Sequence, residues 1–450
     1  MPRLPTKKRN QHQGTIATDM KHQNRKKQLR TKNSLTVAGA CLGMIVTGGV
    51  AAHAQTTPDA TALEKQNQAL QDRLTALEDL VKKEGLMPSG DPPKKMVSAM
   101  SNMTISGFVQ TSYFYNLQHP SGGESAGYLW NTKDNSFSLN KFKLTVAGQP
   151  VATDKWDATY KASLMLGDDA PDLNTPGSGP TGAGNTSFND LREAYVEINV
   201  PIGTGLDIKA GELISLLNWE SGDGGAANPN FSQGLQWWYT GNGPSAGIQG
   251  TYNFTDKFGA TLRVDNGLYQ GPVDGNQGKA FSGSLNFKPT DKFWFNIVGW
   301  YDDQAGGSST SGAETIGGYQ ITEKLGTGYE VDFFHFGPPS GSTGTVDLWS
   351  VGGWAWYNFT SMVGVALRAD FVSQDHGLLG PAVRPGAGLT PTGSTLDGGN
   401  MGSLTATLNL TPAANIKIQP EIRYDYTSYN GGLNGNSSRV IIGCGATYMF

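Results

Sequence analysis

The sequence predicts an all-β protein: a transmembrane antiparallel up-and-down β-barrel of about sixteen strands, with fourteen as the alternative. Three observations predict this fold. Segments of about ten residues alternate apolar and polar side chains. Very short turns and long loops rich in glycine, serine, asparagine and proline alternate between these segments. The last residues, Ala446-Thr447-Tyr448-Met449-Phe450, form an aromatic-terminated strand of the kind that marks outer-membrane barrels for assembly.

Composition narrows the class of protein. Only 16% of the 450 residues are charged, while the chain holds 61 glycines, 18 phenylalanines, 16 tyrosines and 10 tryptophans. Because soluble domains carry about a quarter charged residues, an ordinary soluble enzyme is a poor fit. A soluble β-sandwich would show the same alternation of side chains. The order of turns and loops favours the barrel, which has short turns at one end and long loops at the other.

The alternation is clearest near the C-terminus. Between residues 416 and 426 the even-numbered positions are mostly Ile or Tyr, whereas the odd-numbered ones are Lys417, Gln419, Glu421, Arg423 and Asp425. Residues 363–371 and 403–410 follow the same rule. Successive side chains of a strand point to opposite faces, so each strand is predicted to have one apolar and one polar face.

A short turn recurs along the chain and sets the strand boundaries. It reads Thr153-Asp154-Lys155, Thr255-Asp256-Lys257, Thr290-Asp291-Lys292 and Thr322-Glu323-Lys324, with Thr360-Ser361 and Thr411-Pro412 as variants. Its apolar flanks predict a periplasmic aromatic girdle. The turns follow even-numbered strands, which puts both ends of the barrel in the periplasm. The predicted strands are 103–115, 137–148, 156–167, 188–200, 206–215, 246–254, 258–267, 279–288, 293–302, 314–322, 327–336, 346–359, 362–372, 402–411, 415–427 and 438–450. If 303–345 is one large loop, the count falls to fourteen.

The residues before the predicted barrel have a different sequence pattern. Residues 1–54 read as a signal peptide, with a basic run, an apolar stretch at 35–50 and cleavage after Ala54; Met20 is an alternative start. Residues 55–86 are predicted to form a periplasmic coiled-coil helix, residues 87–102 a proline-containing linker, and residues 103–450 the barrel. The apolar stretch is shorter than the roughly 20 residues of a membrane-spanning helix.

The predicted coiled coil rests on a heptad seam. Its d positions are Leu63, Leu70 and Leu77, and its a positions are Asn67, Leu74 and Val81. A lone amphipathic helix on a globular surface is the alternative. A homotypic coiled coil would suit a homotrimer.

The charge of the exported part argues against one class of partner. Ten of the 34 basic residues and one of the 38 acidic residues lie within 1–54, which leaves 24 basic against 37 acidic residues. An acidic chain does not suit nucleic acid, whose binding needs basic side chains. Cys444 is the single cysteine after the predicted cleavage, so an internal disulfide is not expected.

Several phrases of the chain resemble the outer-membrane β-barrel porin-2 (OmpL-like) family. They are residues 107–115, the segment Asn228-Pro229-Asn230-Phe231-Ser232, the Phe-Thr-Asp-Lys-Phe phrase at 254–258 and the Leu-Arg-Ala-Asp-Phe phrase at 367–371. The resemblance spans most of 103–450, and each phrase is short. It implies an outer-membrane channel without a well-defined substrate.

The inward-facing positions are predicted to carry the pore-lining charges. These are Lys141, Lys143, Lys161, Lys209, Arg263, Asp265, Arg368, Asp370, Glu421, Arg423 and Asp425, together with Asp157, Glu193, Glu197, Asp207 and Arg439. Because the two signs nearly balance, weak ion selectivity is expected. Changing Arg368 and Arg423 together to Glu should favour cations. Alternatively, the Arg-x-Asp pairs at 263, 368 and 423 only hold the wall rigid.

The loop 216–245 is the candidate constriction. It concentrates Trp219, Glu220, Asp223, Trp237 and Trp238, and if it folds inward it would narrow the pore. Exposed Trp and Tyr faces beside carboxylates could stack on sugars, whereas aromatic residues near a rim more often belong to the interface girdle.

The predicted function is that of a porin, a passive diffusion channel for ions and small polar solutes. A non-conducting adhesin or structural protein is the alternative. The sequence predicts no catalytic residue, cofactor or metal site, since it has no nucleophile-elbow phrase and His119, His335 and His376 lack ligand spacing. The expected partners are outer-membrane lipid, the small polar solutes that pass, two further copies of the chain, and the barrel assembly machinery, through Phe450.

If the coiled coil trimerises the channel, replacing Leu70, Leu74 and Leu77 by Ser should weaken the trimer, because d- and a-position leucines supply its buried seam. Oligomer mass in detergent measures the effect. An unchanged mass, both in this variant and after deletion of 56–95, would remove the segment from oligomerisation.

Overall fold

The barrel wall is a single closed sheet. The computed structural model describes residues 103–127, 131–174, 189–241, 243–272, 274, 277–303, 309–337, 345–375, 398–428 and 432–450. Sixteen antiparallel strands pair with their neighbours in chain order, and the last strand pairs with the first. The predicted signal peptide 1–54, coiled coil 55–86 and linker 87–102 lie outside the described residues. In the described part, no helix is both long and apolar enough to cross a bilayer.

The strands are numbered β1 to β16 along the chain. They are Thr104–Asn116, Ser136–Ala147, Asp157–Leu166, Leu191–Val200, Leu206–Leu213, Ser245–Asn253, Phe258–Asp265, Ala280–Phe287, Phe293–Asp303, Ser309–Gln320, Leu325–Phe336, Val346–Asn358, Val363–Gln374, Gly399–Ala413, Ile416–Thr427 and Ser438–Met449. Among the described residues, two short α-helices lie between strands, α1 at Ala170–Leu173 and α2 at Leu235–Tyr239, together with one turn of 3-10 helix at Gly224–Ala226.

The prediction of sixteen strands is confirmed, and the alternative of fourteen is wrong. Strands β10 and β11 pair from Thr310↔Phe336 to Gln320↔Gly326, so 303–345 is not one loop. Strand β10 begins at Ser309, five residues before its predicted start at 314. The outward side chains in this first part of β10 are those of Ser311 and Ala313. Both are small, so they do not give the alternation of large apolar and polar side chains that predicts a strand.

The repeated threonine has a structural role at the short turns. The Thr255 hydroxyl accepts hydrogen bonds from the backbone N–H groups of Lys257 and Phe258 at 3.2 and 3.0 Å. Thr290, Thr322 and Thr360 accept equivalent bonds from the residues that begin the next strand. A hydroxyl that caps its own turn in this way fixes a tight reversal. All the short turns lie at one end of the barrel, called here the turn end, and the long connections lie at the opposite loop end.

One predicted turn is wrong. Thr411 and Pro412 belong to β14, and the reversal is at residues 414–415. The pairing of β14 with β15 shifts register between Leu410 and Ala413. Proline has no N–H group to give to a ladder, so it is tolerated in a strand at such an irregularity.

The two faces of the wall separate by polarity. Outward side chains are apolar and exposed, including Leu262, Phe281, Leu367, Leu404 and Ile422. At the turn end, phenylalanine rings stack from strand to strand, with centroids 5.1 Å apart for Phe258 and Phe287 and 4.7 Å apart for Phe287 and Phe295. Such a surface fits the lipid and interface layers of a membrane. The inner face carries the polar and charged residues.

The barrel closes where the chain's last residue meets β1. Gly107 and Phe450 exchange two backbone hydrogen bonds, at 2.9 and 3.0 Å. A Cβ atom on Gly107 would lie 2.1 Å from the Lys143 carbonyl oxygen and 2.7 Å from the Phe450 ring. Glycine at 107 therefore lets the terminal ring lie over β1 at the seam.

Gly107→Ala should weaken this seam by about 1–3 kcal/mol, the usual cost of overpacking. The check is the temperature at which the barrel loses its compact mobility in detergent gels. Gly250→Ala is the matched control, because a Cβ atom there meets nothing within 4 Å. Equal unfolding temperatures for the two variants would contradict this account of the seam.

Candidate functional site

The connection between β5 and β6, residues 214–244, folds back into the barrel and is called here the inward segment. Its side chains contact inner-face residues of β1, β2 and β10–β15. Helix α2 is part of it, and all five of its side chains are buried. The five predicted constriction residues, Trp219, Glu220, Asp223, Trp237 and Trp238, therefore lie inside the barrel.

Glu220 and Arg368 form the central anchor of the inward segment. Arg368 Nη1 lies 2.9 Å from Glu220 Oε1, and both side chains are at most 1% exposed. The same carboxylate accepts hydrogen bonds from Trp354 Nε1 at 3.0 Å and from the Gly234 N–H at 2.6 Å. One carboxylate thus ties two parts of the inward segment to β12 and β13. Breaking a buried ion pair on one side typically costs about 3–5 kcal/mol.

A second anchor lies on β14 and β15. Glu421 Oε2 accepts hydrogen bonds from the Phe231 N–H at 2.9 Å and from Thr407 Oγ1 at 2.8 Å, and the Ser232 hydroxyl donates to Glu421 Oε1. Asn230 Nδ2 donates to Thr407 at 2.7 Å. Phe231 belongs to the segment 228–232, one of the phrases on which the family resemblance rests. In the structure this segment packs against the wall.

A third anchor uses three carboxylates on β10 and β11. Glu314 accepts from the Asn218 N–H at 2.9 Å, Glu330 from the Trp219 N–H at 2.7 Å, and Asp332 from Gln236 Nε2 at 3.0 Å. In the part of the chain that the structure describes, they are the one group of three acidic side chains able to meet at a metal ion, with oxygens within 4.8 Å of one another. Glu314, Glu330 and Asp332 are not among the predicted pore-lining charges; they lie in 303–345, which the sequence also allows as one large loop.

Lysines of β2 hold the middle of the inward segment. Lys143 Nζ lies 2.9 Å from both Asp223 carboxylate oxygens. Burial disfavours the charged form of Asp223, but Lys143 and Arg192 outweigh it and hold the pKa of this carboxyl below its usual value. Lys141 Nζ donates to Gln233 Oε1 at 3.2 Å and lies 3.8 Å from Asp169.

The three predicted Arg-x-Asp pairs all make close contacts along their own strands. The nitrogen–oxygen distances are 2.8 Å for Arg263 and Asp265, 3.3 Å for Arg368 and Asp370, and 3.4 Å for Arg423 and Asp425. Asp425 also lies 2.7 Å from Arg439 of β16. Arg263 in addition donates to the carbonyl oxygen of Ile214, where the inward segment begins.

The remaining predicted charges lie on β3, β4 and β5. Lys161 Nζ is 2.7 Å from Glu193, and Lys209 Nζ is 3.5 Å from Glu197 and 3.9 Å from Asp207. The Lys161 and Asp207 side chains are 28% and 21% exposed, more than the wall side chains of the anchors. The structure therefore divides the predicted charges into those beneath the inward segment and those on the opposite wall.

An apolar cluster packs the inward segment in the loop-end half of the interior. Leu216, Leu217, Leu235 and Trp238 of the inward segment join wall residues of β9 and β11–β14 in one buried cluster that also holds Trp237 and Tyr239. Trp237 and Trp238 are at most 8% exposed and Tyr239 is 0% exposed. The expectation that these aromatic faces are exposed for sugar stacking is wrong, because they form the core that packs the inward segment.

Comparisons with known proteins agree with this architecture. The model of the family described as beta-barrel porin-2, OmpL-like, matches residues 102–450. The in-vitro folded OmpT of Vibrio cholerae, an outer membrane protein in its trimer form, has a similar fold, with TM-score 0.51, 11% identity, and 77% of this chain and 99% of that chain covered. The anion-selective porin of Comamonas acidovorans gives a TM-score of 0.50 at 13% identity, over 77% of this chain and 99% of that chain. A search of curated proteins found no match.

Glu220→Ala should release the inward segment, because Arg368 loses its buried partner and Gly234 its acceptor. We expect faster amide hydrogen exchange across 216–240, measured by mass spectrometry. Glu124→Ala is the matched control, since Glu124 pairs with Lys133 at the exposed surface, where ion pairs contribute little. Unchanged exchange in a folded Glu220→Ala barrel would contradict the anchoring role.

Proposed function

Because the chain belongs to the beta-barrel porin-2 (OmpL-like) family, we propose that this outer-membrane porin passes ions and small polar solutes between the inward segment and the inner face of β3–β9. The observation that carries the proposal is the one-sided anchoring of residues 214–244. Their hydrogen bonds and ion pairs run mainly along β10–β15, β1 and β2. The segment then narrows the lumen and leaves a water path along the opposite wall.

The inner face of β3–β9 suits such a path. It carries polar groups along its length, from Glu212 and Arg263 towards the loop end to Lys209, Thr251 and Asn286 nearer the turn end. Charges of both signs in a narrow aqueous pore create a local field that orients polar solutes. Lys161, Lys209, Glu193, Glu197 and Asp207 are the pore-lining charges in this proposal.

The charges beneath the inward segment have another proposed role. Arg368, Asp370 and Glu421, with Lys141 and Lys143, hold the inward segment against the wall rather than line the path. Of the two readings of the Arg-x-Asp pairs, we propose the structural one for Arg368, because its guanidinium is enclosed by Glu220, Ser232 and Thr405.

The proposal also covers the orientation of the barrel, the N-terminal segment and the oligomeric state. We propose that the short turns face the periplasm, that residues 55–86 form a periplasmic coiled coil after removal of 1–54, and that the channel is a homotrimer. The trimer form of the structurally similar OmpT supports the last point. The Phe450 ring at the barrel seam supports a role for the C-terminal strand in recognition by the assembly machinery.

A channel without enzymatic activity accounts for the interior better than the alternatives. Glu314, Glu330 and Glu421 of the wall accept hydrogen bonds from the inward segment, and Glu220 of the inward segment accepts one from Trp354 of the wall. Each of these buried carboxylates therefore has a structural purpose. An adhesin or structural anchor would need no polar inner wall. Planar-bilayer conductance separates a channel from these alternatives.

Deletion of residues 222–234 should raise single-channel conductance in planar bilayers, because it removes the part of the inward segment that runs from Asp223, which contacts β2, to Ser232, which contacts β13. Glu124→Ala, at an exposed ion pair outside the inward segment, is the control and should leave conductance unchanged. No increase on deleting 222–234 in a folded barrel would remove this segment from the constriction.

Charge reversals distinguish the two walls. Lys161→Glu should shift the reversal potential towards cations in a salt gradient, and high salt should mute the shift because the Debye length is about 10 Å at 0.1 M. Arg368→Glu with Arg423→Glu should destabilise the barrel by placing buried carboxylates together. A shift towards cations in a folded double variant, with none for Lys161→Glu, would put the path on the opposite side.

A further inference from the structure

Four tryptophans form a platform inside the turn-end half of the barrel. Trp294 of β9, Gly318 of β10, Gly328 of β11 and Trp354 of β12 are neighbours in one cross-strand row. Trp356 lies opposite Gly326, and Trp219 reaches the same place from the inward segment. These tryptophans, Trp219, Trp294, Trp354 and Trp356, are called here the tryptophan platform.

Glycines leave room for the rings of this platform. A Cβ atom on Gly318 would lie 2.7 Å from the Trp294 indole nitrogen. A Cβ atom on Gly328 would lie 2.3 Å from the Trp219 ring, and one on Gly326 would lie 2.3 Å from the Trp356 ring. Any larger residue at these three inward positions would push the rings away from the wall. The glycines of β10 and β11 therefore allow the tryptophan rings to lie close against the wall.

The platform keeps aromatic surface and unused donors. Trp219 stacks on Trp354 with ring centroids 4.6 Å apart and planes inclined by 21°, whereas Trp294 and Trp356 are only half-buried. Trp354 donates its indole N–H to Glu220. The buried indole N–H groups of Trp219 and Trp356 have no hydrogen-bond partner among the described residues.

A strip of uncharged polar side chains adjoins the platform on β6–β9. Its members are Gln249, Thr251, Thr261, Ser284, Asn286 and Asn296, all on the inner face. Asn296 lies two residues from Trp294 on the same face of β9. Both its amide oxygen and its amide nitrogen are buried, and in the described part of the chain neither has a hydrogen-bond partner. An unpaired buried polar group costs free energy that a suitable ligand would recover.

We propose that the tryptophan platform and this strip form a binding site for a neutral sugar ring. A pyranose offers an apolar C–H face, which fits an indole ring, and hydroxyl groups that both donate and accept hydrogen bonds, which fit Asn296 and the free indole N–H groups. The side chains of the strip carry no charge, so the strip suits a neutral solute better than a charged one. The site lies on the border of the water path, so this inference rests on the proposed function.

The test uses maltotriose as the probe of ion current through single channels in planar bilayers. We expect concentration-dependent interruptions in the native channel. The double variant Trp294→Ala, Trp356→Ala should need about tenfold more maltotriose for half-block, since an aromatic contact contributes up to about one decade of affinity. The Phe double variant at the same positions should lie between the two. Trp349→Ala, a lipid-facing tryptophan on β12, is the matched control and should block like the native channel.

Calorimetric titration of the detergent-solubilised protein with maltotriose separates failure of the site from failure of the channel. If the protein does not conduct but binds maltotriose, and the Trp294→Ala, Trp356→Ala variant does not, the proposed function fails and the site stands. If the protein conducts but neither binds maltotriose nor is blocked by it, the site is overturned. Block by benzoate in place of maltotriose, or equal affinity in the native and Ala variants, also overturns it.

Discussion

The ion pair between Glu220 and Arg368 is the contact on which the interior of this barrel depends. Two charges at most 1% exposed are tolerable only when each is paired and its remaining hydrogen-bonding capacity is filled. Here the wall supplies the cation and an indole N–H, and the inward segment supplies the carboxylate and the backbone N–H that complete the set. The wall anchors and the inward segment therefore complete each other's ion pairs and hydrogen bonds.

This mutual dependence makes the barrel asymmetric. Glu421, Glu314 and Glu330 repeat the pattern of the central anchor, since each accepts a backbone N–H group of the inward segment. Apolar side chains then pack the loop-end half of the same region, as in the core of a soluble protein. The proposed water path follows β3–β9, where Lys161 and Asp207 are partly exposed, and the tryptophan platform lies where the two regions meet. In this proposal, position around the barrel decides, more than residue type, which charged groups can meet a solute.

Local patterns in the sequence predict the wall well. Alternation on β13 to β16 and the Thr-Asp-Lys turns depend on contacts within two neighbouring strands, and the predicted strands are confirmed nearly throughout. The prediction is poorest on β10, whose outward face is small and polar. The interior is less predictable, because the wall partners of Glu220, and the partner of Glu314 in the inward segment, lie about a hundred residues or more away in the chain. The concentration of tryptophans in 216–245 marks the inward segment. The neighbouring sequence does not indicate that Trp237 and Trp238 are core residues. It also does not indicate that Gly318, Gly326 and Gly328 make room for tryptophan rings.

In the proposed channel, water follows β3–β9 while the inward segment covers the opposite wall. Reaction of substituted cysteines with a charged thiol reagent during current recording tests this path. Thr159 of β3 and Thr405 of β14 are both inward-facing threonines, half-buried and fully buried respectively. In a Cys444→Ser background, the reagent should reduce current through Thr159→Cys and leave Thr405→Cys unchanged. Equal or faster reaction at Thr405→Cys would contradict the account.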